Sequence, residues 1–164
     1  MKVDKEVLDV CCGGKLFYFD PAAPYLLTND VRKGKYDIGG GRTVRVEPDT
    51  QHDFRHMPFP DESFRLVIFD PPHLRWCGEK SFMYKKYGRL PSEWKDYISE
   101  GFGEAWRVLK PGGTLIFKWS SYQVKTTTVL KTLSMKPLFG TKHGGHTWWF
   151  VFYKSGVRQE LENE

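Results

Sequence analysis

Phe64-Arg65-Leu66-Val67-Ile68-Phe69-Asp70-Pro71-Pro72-His73 is the stretch on which the fold turns. After Arg65 the run is apolar without alternation, the pattern of a strand covered on both faces. It ends abruptly. Proline has no backbone N–H and fixes its own φ, so Pro71 and Pro72 stop the strand and hold the next backbone rigid. Asp70 is left at the carboxyl end with the Pro71 carbonyl beside it. Those two groups can accept both hydrogens of one –NH2 group while a flat ring lies alongside. A strand of this kind belongs to an α/β sheet, and open α/β sheets bind ligands beyond the carboxyl ends of their strands.

On either side, short apolar runs alternate with helical periodicity. Residues 6–10 form a strand that ends in Cys11-Cys12-Gly13-Gly14, and residues 25–27 form another that leads to Asn29-Asp30. Val44 and Val46 alternate within a third strand over 43–47. Downstream, Trp94, Ile98, Phe102, Ala105, Trp106 and Leu109 recur at helical spacing, with Ser92 as the N-cap after Pro91. Gly101 and Gly103 each cost this helix roughly 1 kcal/mol against alanine, so packing must compensate. Lys110-Pro111-Gly112-Gly113 ends the helix and turns the chain into a strand over 114–119. A weaker helix over 122–133 precedes two strands that flank His143-Gly144-Gly145-His146. The last strand, 147–153, is bulky on both faces and belongs inside the sheet. The order predicts a single α/β domain over residues 1–155, its sheet parallel except for one late antiparallel strand. Residues 156–164 read as a polar, frayed tail.

The 164 residues are 40% apolar and 16% aromatic, ample for one buried core and against global disorder. The formal charge of +5 is compatible with a polyanionic partner without requiring one. Cys11, Cys12 and Cys77 have neither a disulfide framework nor zinc-site spacing, and adjacent cysteines rarely bridge. His143 and His146 form a pair without a third ligand, so no metal is expected. No signal peptide and no membrane-length apolar run is present, so a reduced, cytoplasmic protein with no membrane partner is expected.

The loops after the first four strands should share one cleft, and each supplies a ligand group. Cys11 to Gly14 lets backbone approach closely, Asp30 is placed to bind two ribose hydroxyls, and Asp53-Phe54 offers a carboxylate and a ring edge to an adenine. Leu8 to Gly14, Asp30 and Asp53 resemble the cofactor positions of class I methyltransferases dependent on S-adenosylmethionine (SAM). His56-Met57-Pro58-Phe59-Pro60-Asp61-Glu62-Ser63-Phe64 and Glu104-Ala105-Trp106-Arg107-Val108-Leu109-Lys110-Pro111-Gly112-Gly113 resemble the family's leads into its fourth and fifth strands. Asp70-Pro71-Pro72-His73 resembles the Asp-Pro-Pro-Tyr motif of its amino-methyltransferases, and the whole chain resembles small phage or prophage-type members. The resemblance implies a Rossmann-like sheet, SAM as cofactor, and Asp9, Cys11, Gly13, Asp30, Asp53 and Phe54 around it. NAD fits less well, because Gly-x-Gly-x-x-Gly is missing. Only about fifteen residues separate the first two strands, too few for a full helix, and no helix before the first strand supplies the usual pocket wall.

Asp70, Pro71, Pro72 and His73 are the candidate catalytic residues, with the target amine held by Asp70 and the Pro71 carbonyl. No Pro-Cys follows the strand, which argues against carbon methylation through a thiolate. His73 stands where an aromatic usually stacks on the base; either it stacks, or it caps the loop and Trp76 or Tyr84 stacks instead. The segment 75–89 mixes basic and aromatic residues, and Trp76, Tyr84, Lys85 and Lys86 are candidate substrate contacts in a lid, or an ordinary solvated loop. The expected reaction is methylation of an exocyclic amine, adenine in DNA or RNA. The alternatives are N-methylation of a small molecule or protein amide, or a silent SAM-fold binding module. No stretch remains for a separate target-recognition domain.

Overall fold

The computed structural model describes residues 4–156, so the expected tail lies, beyond Gly156, outside the described residues. In chain order the elements are β1 (Val7–Asp9), β2 (Leu26–Thr28), β3 (Gly34–Gly39), β4 (Arg42–Val46), β5 (Phe64–Phe69), α1 (Phe82–Tyr87), α2 (Trp94–Val108), β6 (Leu109–Ser120), α3 (Thr126–Leu130), β7 (Phe139–His143) and β8 (Thr147–Tyr153). Six strands form one sheet in the order β2-β1-β5-β6-β8-β7. β1 pairs in parallel with β2 and β5, and β5 with β6. β8 runs antiparallel to both its neighbours, inside the sheet, as its two apolar faces predict.

The expected third strand is a correction. Residues 42–46 pair with β3 in a separate antiparallel hairpin, and only the bridge Asn29 to Thr50 continues the main sheet at that edge. The cause is local. Gly39, Gly40 and Gly41 all have positive φ (88°, 62° and 71°), which glycine adopts at little steric cost, and they reverse the chain at once. Val44 and Val46 are buried while Arg45 is exposed, the alternation of a half-buried hairpin. A Cβ on Gly14 would sit 2.7 Å from Val44 Cγ2, so the bare glycine lets the hairpin close onto the loop after β1.

The core lies where α2 covers the sheet: Ile98, Phe102 and Ala105 are buried against Phe64, Phe69, Phe117 and Phe152. Gly101 is required there, because a Cβ would lie 2.3 Å from Phe54 Cε2; Gly103 faces open space. The N-cap is Glu93 rather than Ser92, and Ser92 Oγ instead bonds Glu93 Oε1 at 2.7 Å. Lys154 Nζ donates to the Trp106 and Leu109 carbonyls at the helix's carboxyl end (3.0 and 2.6 Å), where a cation meets the dipole favourably. Arg107 ties the 57–61 lead to α2, bonding the carbonyls of Met57 and Phe59 and the carboxylates of Asp61 and Glu104. β6 begins at Leu109, and its partner register jumps from Phe64–Leu109 to Leu66–Thr114, so Lys110 to Gly113 bulge out of the ladder. α3 is shorter than expected. Trp119 Nε1 anchors the Val124 carbonyl at 2.9 Å, keeping the preceding residues in a turn, and the β-branched threonines 126–128 extend helix poorly.

Candidate active site

β5 delivers Asp70 to the place where three adjoining cavities of about 240, 250 and 210 Å³ meet, and Asp70 and Tyr87 line all three. The first holds Gly13, Lys15, Phe17 and Lys86; the second Asp30, Phe54, Tyr84 and Tyr97; the third His73, Trp119 and Ser120. Cys11 at the end of β1 faces the first two. The sheet grows outward in opposite directions from β1 and β5, so this is its topological switch point.

Asp70 is not free. Lys118 Nζ lies 2.5 Å from Asp70 Oδ2, with both side chains mostly enclosed. Burial pushes the Asp70 carboxyl above its ordinary range, and the Lys118 charge and hydrogen bond oppose that rise. Register places Phe117 beside Phe69, so Lys118 follows on β6 just as Asp70 follows on β5. The ammonium is seated over the rings of Phe17 and Trp149 (5.3 and 5.5 Å to the centroids). Asp70 Oδ1 has no hydrogen-bond partner among the described residues.

Pro71 lines the first cavity and Pro72 the second. His73 faces Asp70 across the first and third, its ring 5.7 Å from Tyr87 and 6.5 Å from Trp119. Burial, and secondarily the Lys118 charge, push its pKa down to about 4, so the imidazole is neutral near pH 7.

On the second cavity's side, Asp30 accepts Gly13 N–H at 2.9 Å, Arg32 N–H at 2.9 Å and Arg32 Nε at 3.2 Å. Arg32 Nη1 continues to the Lys85 carbonyl of α1 at 3.3 Å. Phe54 stands edge-on to Tyr97 and Phe69, with centroids 4.7 and 5.2 Å away. Asp53 does not line these cavities. Arg55 holds both its oxygens and keeps its carboxyl below the usual range, because the two residues are nearest neighbours in one tight loop. Asp9 also lies outside the cavities. It is wholly buried beneath the loop, accepting Tyr18 Oη at 2.7 Å and Cys11 N–H at 3.2 Å, and burial pushes its pKa up to about 7.

The candidate substrate residues divide. Tyr84 lines the second cavity and Lys86 the first, whereas the Lys85 side chain lines none of the three and its carbonyl holds Arg32. Trp76 is 66% exposed and away from them; Gln123 Oε1 accepts its backbone N–H and the Arg75 guanidinium lies over its ring, which turns it outward. Part of the segment is the helix α1, capped by Ser81, which brings Tyr87 to the site. Sequence reasoning missed Tyr18, Arg32, Tyr87, Tyr97 and Lys118. Lys118 left a signal, being a cation set between Phe117 and Trp119 at the end of the apolar run that begins at Leu115. Among the described residues no group of three or more His, Cys, Asp or Glu side chains gathers to hold a metal, and no helix is long and apolar enough to cross a membrane.

No protein-family model and no curated protein matches the sequence. Solved structures do match the fold. The PH0226 protein of Pyrococcus horikoshii OT3 superposes with a TM-score of 0.55 at 17% identity, over 94% of this chain and 84% of that one. A protein assigned as a type 11 methyltransferase from Sulfolobus solfataricus gives 0.54 at 15% identity, over 98% and 89%. This chain has the Rossmann-like methyltransferase fold. TrmN from Thermus thermophilus shares it, with a TM-score of 0.53 at 17% identity over 92% of this chain and 44% of that one. Within this methyltransferase fold the hairpin β3–β4 occupies the stretch between β2 and β5, and the three cavities lie at the strands' carboxyl ends.

Proposed function

We propose that this protein is a SAM-dependent N-methyltransferase acting on an exocyclic amine, that of adenine in a nucleic acid. The observation that carries the reading is Asp70: one oxygen fixed by Lys118, the other open, at the junction of three cavities. The donor set suits the cofactor. Phe54 and Tyr97 offer apolar ring edges to an adenine, Asp30 a carboxylate to ribose hydroxyls, and Gly13 with φ +50° a loop without side-chain bulk. Ribose hydroxyls at Asp30 take the place of the Arg32 side-chain contacts, since a carboxylate has about four acceptor sites. When bound, SAM supplies a methyl group on a sulfonium, which departs as a thioether as the N–C bond forms.

The residues of the chain supply position and charge. Asp70, held as a carboxylate by Lys118, accepts an N–H of the amine through Oδ1. That contact orients the nitrogen and stabilises the positive charge that develops on it. The methylated arylammonium is a strong acid and gives its surplus proton to water without a dedicated base. Neutral His73, beside Tyr87 and Trp119, bounds the third cavity as an uncharged wall for a flat base. Lys15, Arg32 and Lys86 at the mouth suit a phosphate backbone.

Tritiated SAM is offered with DNA, RNA, protein and small-molecule pools, and label is expected in nucleic acid. Asp70→Ala abolishes transfer and leaves SAM affinity in calorimetry nearly intact. No binding at millimolar SAM, or an active Asp70→Ala enzyme, overturns the reading. Label confined to the protein or small-molecule pool overturns the nucleic-acid part alone.

A further inference from the structure

The hairpin β3–β4 has one face explained and one not. Its inner face, with Val44 and Val46, packs on the loop after β1. Its outer face carries exposed Lys35 and Arg45 together with exposed Asp37, while Arg42, on the side of Val44 and Val46 by alternation, is exposed at the tip. Register sets Lys35 directly opposite Arg45, and Arg42 opposite Gly39. Like charges facing each other across a ladder destabilise a hairpin. Among the described residues, Arg45 alone of these three cations meets an acidic partner, Glu47 at 3.2 Å, and that pair is 63% exposed on both sides and weak. Residues 31–47 hold five basic side chains against two acids, in a chain whose formal charge is +5. The tip, Gly39-Gly40-Gly41, has open space where side chains would project, apart from a distant contact of Gly40 with Arg42. Nothing bulky keeps its backbone from a phosphate.

The hairpin is joined to the cleft. Arg32, at its base, bonds Asp30 on one side and the Lys85 carbonyl of α1 on the other, and α1 packs against β3. α1 carries Lys85 and Lys86 alongside the hairpin, and Lys86 lines the first cavity. We infer that β3–β4 is the nucleic-acid docking element of this protein, its exposed Lys35, Arg42 and Arg45 tracking the phosphodiester backbone while the target base enters the cleft. This rests on the proposed nucleic-acid substrate and adds to it where the polymer lies. Phosphate contacts of this kind position a strand without reading its sequence.

The test is fluorescence anisotropy with labelled single- and double-stranded DNA and RNA of about 20 nucleotides over a salt series. The wild type is compared with Lys35→Gln/Arg42→Gln/Arg45→Gln, whose changes are all on the surface. The triple variant is expected to bind at least tenfold more weakly at low salt. Its slope of log affinity against log salt should fall by about 2, near 0.7–0.9 per lost phosphate contact. Calorimetric SAM affinity stays unchanged. The four probes separate DNA from RNA and duplex from strand. Equal binding and an equal salt slope in the triple variant overturn the hairpin assignment and leave the methyltransferase reading standing. Wild-type protein that binds none of the four overturns both the assignment and the nucleic-acid substrate. Hairpin-dependent binding without methyl transfer supports the docking element and overturns the catalytic reading alone.

Discussion

Lys118→Met separates a residue that tunes Asp70 from one that only fills space. Methionine keeps an apolar stem against Phe17 and Trp149 and deletes the charge 2.5 Å from Asp70 Oδ2. A hydrogen bond to a charged group contributes about 1.5–3 kcal/mol, and one pH unit corresponds to about 1.4 kcal/mol. With the Lys118 charge and hydrogen bond gone, burial is unopposed and the Asp70 pKa climbs further. In the proposed reaction ionised Asp70 is the acceptor, so a higher pKa moves the acid limb of kcat/KM to higher pH. Below that limb the variant is about 10- to 100-fold slower than wild type; above it the two profiles converge. Lys118→Arg keeps the charge and restores most of the acid limb, while calorimetric SAM affinity changes little in either variant. An acid limb that stays in place, or an equal loss of rate at every pH, would refute the positioning role. NMR titration of labelled aspartate carboxyls reads the same shift without a substrate.

Asp9 makes stability pH-dependent. Its pKa rises from 3.8 to about 7 on folding, so it is protonated in both states below the first value and burdens the folded state with a buried charge above the second. Stability is thus gained as pH falls through this window, at about 1.4 kcal/mol per pH unit. Asp9→Asn is expected to remove roughly 3 kcal/mol of the difference between pH 5 and 8 in urea unfolding; an unchanged difference refutes the assignment. In α2, Gly103→Ala is expected to stabilise by roughly 0.5–1 kcal/mol because its site is open. Gly101→Ala should cost about 1–3 kcal/mol, since the new methyl drives into Phe54; equal effects in chemical denaturation would contradict that packing. Gly14→Ala forces Val44 away and should lower both the melting temperature and SAM affinity, with Val44→Ala recovering the affinity in the double variant. Losses that simply add would show that the hairpin does not press on that loop.

Most of the sheet was legible because apolar runs report burial directly. Residues 65–69 read as a doubly covered strand and 147–153 as an interior one, and both are. The third strand misled because Val44 and Val46 alternate equally well in a hairpin; three consecutive glycines just before it were the discriminating signal. At the site, Asp70, Cys11, Gly13, Asp30 and Phe54 follow from strand ends. Trp76 and Asp53 do not reach the cleft, because their nearest charged neighbours, Arg75 and Arg55, engage them first.

Taken alone, the chain's residues determine the strand order's raw material: which segments are apolar, where prolines and glycines stop them, and that Asp70 stands at the carboxyl end of a buried strand. Those are local properties, written in spacing and backbone chemistry. What surrounds that carboxylate was decided only in three dimensions. Lys118 lies 48 positions away and meets Asp70 because β5 and β6 pair in register; Arg32 reaches α1 across 53 positions. Periodicity carries no record of such pairings, because they depend on which strands become neighbours when the core closes.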